Sequence, residues 1–153
     1  MNAIIIFIAS YIYLLSVLFF GAYFFSLSRV ARRRFFLISV FTFPLSYITG
    51  VLAGHLYYNP RPFVVLHITP LVQHAADNGF PSDHALLMGT IAAVVTVFNR
   101  RLGIGLWVLA ILVGTARVMA AVHHPLDILA AFLIAIGATA TVVFLLRGRG
   151  TEA

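Results

Sequence analysis

The chain has no cysteine and no lysine, and charged residues of both signs make up only 9% of its 153 residues. The lack of cysteine excludes disulfides, thiolate metal ligands and cysteine nucleophiles. Hydrophobic residues make up 62% of the sequence, and the mean hydropathy is +1.05. They form uninterrupted runs of about 20 residues, the length that spans a bilayer as a helix. This composition indicates an integral membrane protein rather than a soluble domain.

The apolar runs predict five long helices, with expected ranges 3–27, 35–53, 82–98, 102–121 and 125–146. The first run has no basic segment before it and no small-residue cleavage site after it, so we expect a retained helix and not a signal peptide. Gly103, Gly105 and Gly114 are expected to allow close contact between helices. The sequence thus predicts one all-α domain over residues 1–153, a transmembrane bundle of five to six helices.

Arginine is distributed unevenly along the chain. Eight of the ten arginines form three clusters at the ends of apolar runs: Arg29, Arg32, Arg33 and Arg34, then Arg100 and Arg101, then Arg147 and Arg149. Basic clusters in these places are typical of cytoplasmic anchors, not of a nucleic-acid groove. All three clusters, including a loop at residues 29–34, lie in the cytoplasm if the N-terminus is outside and the C-terminus is inside. We therefore expect a multi-pass protein with that orientation.

The remaining polarity gathers at the outer face in this topology. The residues concerned are Arg61, Ser82, Asp83, His84, Arg117, His123, His124 and Asp127. Ionisable groups near membrane depth are costly and usually face a bundle interior or an aqueous cavity, so they are candidates for a functional site. They occur in three segments, YYNPRPF at 57–63, FPSDHA at 80–85 and ARVMAAVHHPLD at 116–127.

These residue types fit a site for phosphate. The guanidinium groups of Arg61 and Arg117 present a planar fork of donors that suits phosphate oxygens. Ser82, with Pro81 before it, is expected to cap a helix whose free amide groups and dipole favour an anion. His123 and Asp127 are four residues apart on one side of a helix, so the carboxylate can fix the imidazole tautomer and free the other nitrogen to attack. A histidine from another helix can protonate the leaving oxygen.

The three segments resemble the signature of the type 2 phosphatidic acid phosphatase superfamily, lipid phosphate phosphatases that share a helical core with vanadium haloperoxidases. That signature is Lys, six residues, Arg-Pro; then Pro-Ser-Gly-His; then Ser-Arg, five residues, His, three residues, Asp. Arg61-Pro62 matches its first part. Pro81, Ser82 and His84 match the second part, and Arg117, His123 and Asp127 match the third.

The resemblance covers residues 54–127 and implies a role for each matching residue. His123 is expected to form a phosphohistidine, with Asp127 supporting it and His84 assisting departure of the lipid oxygen. Arg61, Ser82 and Arg117 are expected to hold the phosphate, with no metal and no cofactor. The spacing from Arg117 and to Asp127 selects His123, not His124, as the nucleophile.

Three positions depart from the signature. Gly54 occupies the place of the family Lys, and His55 beside it is a possible substitute. Ala116 replaces the family Ser, and Asp83 replaces the family Gly. A carboxylate at that position should repel phosphate unless it pairs with Arg or faces away. Asp83 in FPSDH, together with PRPF, is similar to the bacitracin-resistance type of undecaprenyl pyrophosphate phosphatase.

That similarity implies an enzyme of the bacterial inner membrane with its site on the outer side, which converts undecaprenyl pyrophosphate to undecaprenyl phosphate for envelope synthesis. Alternative substrates are phosphatidylglycerophosphate, phosphatidic acid and lipid A phosphates, and a phosphotransferase is an alternative reaction. A lipid-phosphate binder or a flippase is the non-enzymatic alternative. His67 and His74 are expected on one face of a short interfacial helix with a structural role. A histidine-only metal site that includes His55 is a weaker alternative.

Overall fold

The computed structural model describes residues 2–147 of the chain, and these form six helices. The helices are α1 (Asn2–Ser26), α2 (Arg29–Leu56), α3 (Pro62–Val65), α4 (Asp83–Phe98), α5 (Arg100–Met119) and α6 (Pro125–Arg147). Within this range β-structure is limited to one isolated bridge between Pro60 and Asn78. All five predicted long helices are present, so the all-α fold is confirmed. Arg149 lies outside the described residues.

Helix α2 begins six residues earlier than predicted. The Ser28 hydroxyl accepts a hydrogen bond from the Ala31 amide at 3.4 Å and caps the helix. The Arg32 side chain folds back over the end of α1 and donates to the carbonyls of Phe24, Phe25 and Leu27 at 3.2, 2.7 and 2.9 Å. The prediction of a loop at residues 29–34 is therefore wrong. These arginines lie in the first turns of α2. The charged Arg32 side chain is stabilised there by hydrogen bonds to the free carbonyls at the end of α1.

Helix α4 is the centre of the bundle and packs against α1, α2, α5 and α6. Ten of its sixteen residues are buried, against three of the twenty-five in α1. Its length is about 24 Å at 1.5 Å per residue, shorter than a bilayer core. Among residues 2–147, α1, α2, α5 and α6 are the helices long and apolar enough to cross a membrane. They turn large apolar side chains outward, such as Leu18 and Phe25, which fits contact with lipid.

Glycine allows two of the close helix contacts. A side chain at Gly103 would collide with Thr96 of α4, and a Cβ at Gly114 would stand 2.6 Å from Ile128 of α6. Gly105 has nothing within 4 Å of such a Cβ. The prediction is therefore confirmed for Gly103 and Gly114 and is wrong for Gly105.

The arginine clusters gather at one end of the bundle. Arg33, Arg34 and Arg147, from α2 and α6, line one cavity. The Arg34 guanidinium also lies 6.0 Å from the centre of the Phe98 ring, where α4 ends. Because α4 and α5 run antiparallel, the start of α4 and the end of α5 lie at the opposite end. The candidate site residues are there.

The segment between α3 and α4 follows an irregular path across that end. Its backbone is tied to the turn after α5, with Phe63 N donating to Ala121 O and Leu71 N donating to Ala120 O, each at 3.1 Å. The predicted interfacial helix carrying His67 and His74 is wrong, since α3 is a single turn that ends at Val65. The two histidines do not share a face. His67 is exposed with φ 53°, whereas His74 is half-buried against the bundle.

Candidate active site

His123 lies in the turn between α5 and α6, and both of its ring nitrogens have defined surroundings. Ala121, at φ 61°, reverses the chain just before it, and 2% of His123 is exposed. Its Nδ1 donates to the carbonyl oxygen of Gly79 at 2.9 Å, while Asp127 Oδ2 stands 3.5 Å away. A carbonyl only accepts, so the proton is on Nδ1. The lone pair of Nε2 is therefore available as a nucleophile.

Two guanidinium groups face that lone pair. Arg61 Nη1 and Arg117 Nη2 each lie 3.4 Å from His123 Nε2. Both arginines are buried, at 4% and 2% exposed. Because an arginine keeps its charge at any working pH, the pair places fixed positive charge at the nucleophile. A phosphate group matches this arrangement, since it brings negative charge to the arginines and an electrophilic atom to the imidazole.

Arg61 is held by the chain on each side of the site. Its Nε donates to Asp77 Oδ1 at 2.8 Å, and its Nη1 donates to the carbonyl of Val122 at 2.9 Å. The hydrogen bond from Arg61 lowers the pKa of the Asp77 carboxyl below its ordinary value. Since 60% of the Asp77 side chain is exposed, solvent screens this ion pair and its contribution to stability is small.

Arg117 is held less completely. Its Nη1 donates to the carbonyl of Ala9 in α1 at 3.2 Å. Its Nη2 also donates to His74 Nε2 at 3.2 Å. The Nε atom is buried and has no hydrogen-bond partner. A buried donor without a partner is costly. The Nε atom of Arg117 is therefore a donor that a phosphate oxygen can satisfy.

The Asp127 carboxylate is fully buried and is fixed by two hydrogen-bond donors. Asn59 Nδ2 donates to its Oδ1 at 2.7 Å, and the His124 amide donates to its Oδ2 at 2.7 Å. His123 Nδ1, which donates to the Gly79 carbonyl, stands 3.5 Å from Oδ2. The neighbouring His124 has its own structural partner, since its Nε2 donates to the carbonyl of Pro60 at 3.1 Å.

Asn78 and Gly79 bring the loop against this carboxylate. The Asn78 side chain accepts from the amides of Asn59 and Phe80 at 2.9 and 3.0 Å and donates to Gly54 O at 2.8 Å. A Cβ at Gly79 would stand 3.2 Å from both Asp127 Oδ2 and Asn59 O. Glycine therefore lets the backbone approach closely enough for its carbonyl to accept from His123.

The start of α4 forms the next wall of the site. Ser82 is fully buried, and its hydroxyl caps the helix by accepting from the Ala85 amide at 3.5 Å, as predicted. Its own amide donates to the Asp127 carbonyl at 3.2 Å. His84 follows in the first turn, with its ring edge-on to Tyr13 of α1 at a centroid distance of 4.7 Å. It lies within electrostatic range of Arg117 and His123.

The surroundings of His123 and His74 keep both imidazoles neutral. Burial lowers the pKa of His123, and Arg117 and Arg61 lower it further, while the hydrogen bond with Asp127 opposes them. Burial, Arg61 and Arg117 lower the pKa of His74 to about 4. Both imidazoles are therefore uncharged at neutral pH. Among residues 2–147, no three His, Asp or Glu side chains converge as metal ligands.

The family model described as the PAP2 superfamily matches residues 35–150. The chain belongs to the PAP2 superfamily. It is 35% identical to the bacitracin transport permease protein BcrC of Bacillus licheniformis over 89% of this chain and 67% of that protein. It is 36% identical to undecaprenyl-diphosphatase BcrC of Bacillus subtilis over 58% of this chain. It is 35% identical to putative undecaprenyl-diphosphatase YbjG of Escherichia coli over 67%. These matches span 48% and 52% of the latter two proteins, about half their length.

Two solved structures share the PAP2 fold. The crystal structure of Aquifex aeolicus LpxE has a TM-score of 0.67 and 24% identity, and the match covers 86% of each chain. The PAP2-type phosphatidylglycerolphosphate phosphatase of Bacillus subtilis has a TM-score of 0.67 and 23% identity, over 99% of this chain and 79% of that one. The family model confirms the superfamily resemblance predicted from the three motifs.

The departures from the PAP2 signature have local structural causes. A Cβ at Gly54 would stand 2.9 Å from the carbonyl oxygen of Phe80, so a lysine does not fit there without displacing the backbone. Ala116 packs in an apolar cluster with Ala9 of α1, among others. Asp83 is exposed at the start of α4, where the helix dipole stabilises a carboxylate. With His55 and Pro81 it lines a cavity of about 500 Å³, and neither His123 nor the two arginines line that cavity.

The structure brings Arg61, Ser82, Arg117, His123 and Asp127 together at one end of the bundle, as the spacing predicts. It also adds Asn59, Gly79 and His74, which the PAP2 signature does not include. The Asn78-Gly79 pair is a recognisable turn signal. No sequence pattern indicates that the Gly79 carbonyl is the nearest acceptor for His123. His74, for which the sequence predicts a structural role, contacts Arg117 at the site.

Proposed function

We propose that the chain is a membrane phosphatase that removes the terminal phosphate of a polyprenyl diphosphate, with undecaprenyl diphosphate as substrate and undecaprenyl phosphate as product. The observation that carries the proposal is the pairing of a free His123 Nε2 with two guanidinium groups at 3.4 Å. The names of the BcrC and YbjG relatives support the choice of lipid.

The chemistry follows from this geometry. The terminal phosphate is held between Arg61, Arg117 and the start of α4 at Ser82. The negative charge of the bound diphosphate favours a protonated His84 beside it. His123 Nε2 attacks phosphorus, the bond to the bridging oxygen breaks, and the lipid monophosphate leaves with that proton from His84. Water then attacks the phosphohistidine, giving up a proton to His84, and inorganic phosphate is released. Asp127 and the Gly79 carbonyl hold the imidazole in the reactive tautomer throughout.

Purified full-length protein in detergent tests the reaction directly. We expect phosphate release from undecaprenyl diphosphate, its loss in His123→Ala, and activity within about tenfold of the parent in His124→Ala, because one side-chain hydrogen bond is worth about 1 kcal/mol. A phosphoenzyme trapped by denaturation should be stable in alkali, labile in acid and absent from His123→Ala. An unaffected His123→Ala variant contradicts the mechanism.

A panel of lipid phosphates in the same assay separates the alternatives. Faster turnover of phosphatidylglycerophosphate, phosphatidic acid or a lipid A phosphate would replace the proposed substrate. Transfer of the phosphate to an acceptor lipid would make the protein a phosphotransferase. Binding without turnover would make it a lipid-phosphate binder or a flippase. We expect activity to persist with a chelator, because protein side chains supply every role above.

We further propose that the site opens to the outer side of the bacterial inner membrane, with the N-terminus outside and the C-terminus in the cytoplasm. The gathering of Arg33, Arg34 and Arg147 at the end opposite His123 supports this orientation. Reporter fusions at Arg101 and Ala153 should report cytoplasm, and a fusion near Asp77 should report the outer side. The reverse pattern would overturn the orientation and leave the chemistry untouched.

A further inference from the structure

We infer that His74 is a positioning residue for phosphate binding, one that holds Arg117 in place from outside the three-part signature. The inference rests on the proposed phosphatase site and deepens it. Arg117 Nη2 is 3.2 Å from His74 Nε2 and 3.4 Å from His123 Nε2. The His74 and His123 rings are edge-on, with centroids 6.1 Å apart. One guanidinium nitrogen thus lies between the predicted nucleophile and a histidine of the α3–α4 segment.

The direction of this hydrogen bond is fixed by the partners. A guanidinium has donors and no acceptor, so His74 Nε2 must accept and its proton must be on Nδ1. Burial favours this neutral form of His74. Arg61, Arg117 and His123 also disfavour a further positive charge on His74, whereas Asp77 favours one. His74 therefore acts as an acceptor for Arg117.

Arg117 depends on that acceptor because its other contacts are few. Its Nη1 has the carbonyl of Ala9, and its Nε has no partner. Arg61, in contrast, is held by Asp77 and by the Val122 carbonyl at 2.8 and 2.9 Å. Without His74, Arg117 Nη2 would keep a single contact, the 3.4 Å approach to His123. A phosphate site gains affinity when its donors are already oriented.

A purely structural role for His74 fits its surroundings less well. Leu71 and Val72, three and two residues before it, pack against a buried apolar cluster, but His74 is half-exposed and belongs to no such cluster. Its one hydrogen bond among the described residues is to Arg117. The segment is therefore anchored by its apolar residues, and His74 points from that anchor to the arginine.

Two variants and a matched control test the role. His74→Gln retains an acceptor oxygen and His74→Leu does not, while His67→Asn changes an exposed histidine of the same segment to a residue that tolerates its positive φ. Calorimetric titration of the purified proteins with orthovanadate, a phosphate analogue, measures anion binding without turnover. We expect His74→Leu to weaken binding about tenfold, the loss of one charge-assisted hydrogen bond. We expect His74→Gln to stay within about threefold of the parent and His67→Asn to match it, with all melting temperatures alike.

The same variants assayed with undecaprenyl diphosphate should show the loss chiefly in KM. The inference is overturned if His74→Leu binds orthovanadate as the parent does, or if His74→Gln is as weak as His74→Leu. It is also overturned if the parent binds no orthovanadate. A failure of the proposed reaction gives another result. The orthovanadate affinities of the parent and its variants would then be as expected, but the parent would release no phosphate from the lipid.

Discussion

His123 Nδ1 donates to the carbonyl of Gly79 at 2.9 Å, and the carboxylate of Asp127 stands farther away at 3.5 Å. The imidazole tautomer is thus fixed by two acceptors of unequal distance, one from the backbone of a loop and one from a buried side chain. The backbone acceptor persists when the carboxylate is removed. We therefore expect a substitution of Asp127 to lower activity less than a substitution of His123.

Asp127→Ala should lower kcat/KM about 10²-fold, short of complete loss. Where a carboxylate alone sets the tautomer, removing it costs about 10⁴-fold, and here the Gly79 carbonyl retains part of that function. Phosphate release by the purified variants measures the effect, with His123→Ala as the inactive reference. Equal inactivity of the two variants would show that Gly79 does not hold the tautomer.

The acid limb of the kcat/KM profile should lie below the ordinary histidine pKa of about 6.5. Burial and the two arginines lower the pKa of His123, and Asp127 opposes them. Protonation removes the nucleophile, so activity falls as pH drops through this lowered pKa. In Asp127→Asn the opposing contribution is gone, so the limb should move to still lower pH. The substrate titrates identically with both proteins, and a limb that moves upward would contradict the assignment to His123.

Asn59→Ala should reduce both stability and activity. It removes the 2.7 Å donor to Asp127 Oδ1, and a hydrogen bond to a buried charge is worth about 1.5–3 kcal/mol. Asn99→Ala is the matched control at the opposite end of α4, where the Asn99 side chain caps α5 by accepting from Leu102 N at 3.1 Å. Loss of that cap costs about 1 kcal/mol. Thermal unfolding should show a loss in both variants, while specific activity should fall in Asn59→Ala alone.

Replacing Gly54 should be harmful even when the substitution restores the lysine of the family signature. A Cβ there meets the Phe80 carbonyl at 2.9 Å, and overpacking costs about 1–3 kcal/mol. Gly137→Ala has open space around the added methyl and should gain up to about 1 kcal/mol of helix propensity. Melting temperatures should therefore move in opposite directions for Gly54→Ala and Gly137→Ala. Higher activity in Gly54→Lys than in the parent would show that the backbone near Phe80 shifts to accommodate the side chain.

The sequence alone determined that this is an all-α integral membrane protein, and it located the long helices and the main site residues. Apolar length identifies a helix that crosses a bilayer, because the hydrocarbon thickness sets the number of residues required. Arg117, His123 and Asp127 are close in the chain, so their spacing already places them together around one turn. Ser82 was identifiable as a cap because that role depends on the next three residues. The departure at Gly54 could be located from sequence, but its cause could not.

Only the tertiary structure decided which groups complete the site. Gly79 and His74 lie in an irregular segment with no periodicity to predict their positions. Hydrogen bonds accepted by the Asn78 side chain and the packing of Leu71 and Val72 determine those positions. The Ala9 carbonyl reaches Arg117 from a helix 108 residues away, and no local pattern encodes that distance. Local spacing follows from backbone geometry, whereas contacts between distant segments follow from how the whole bundle packs.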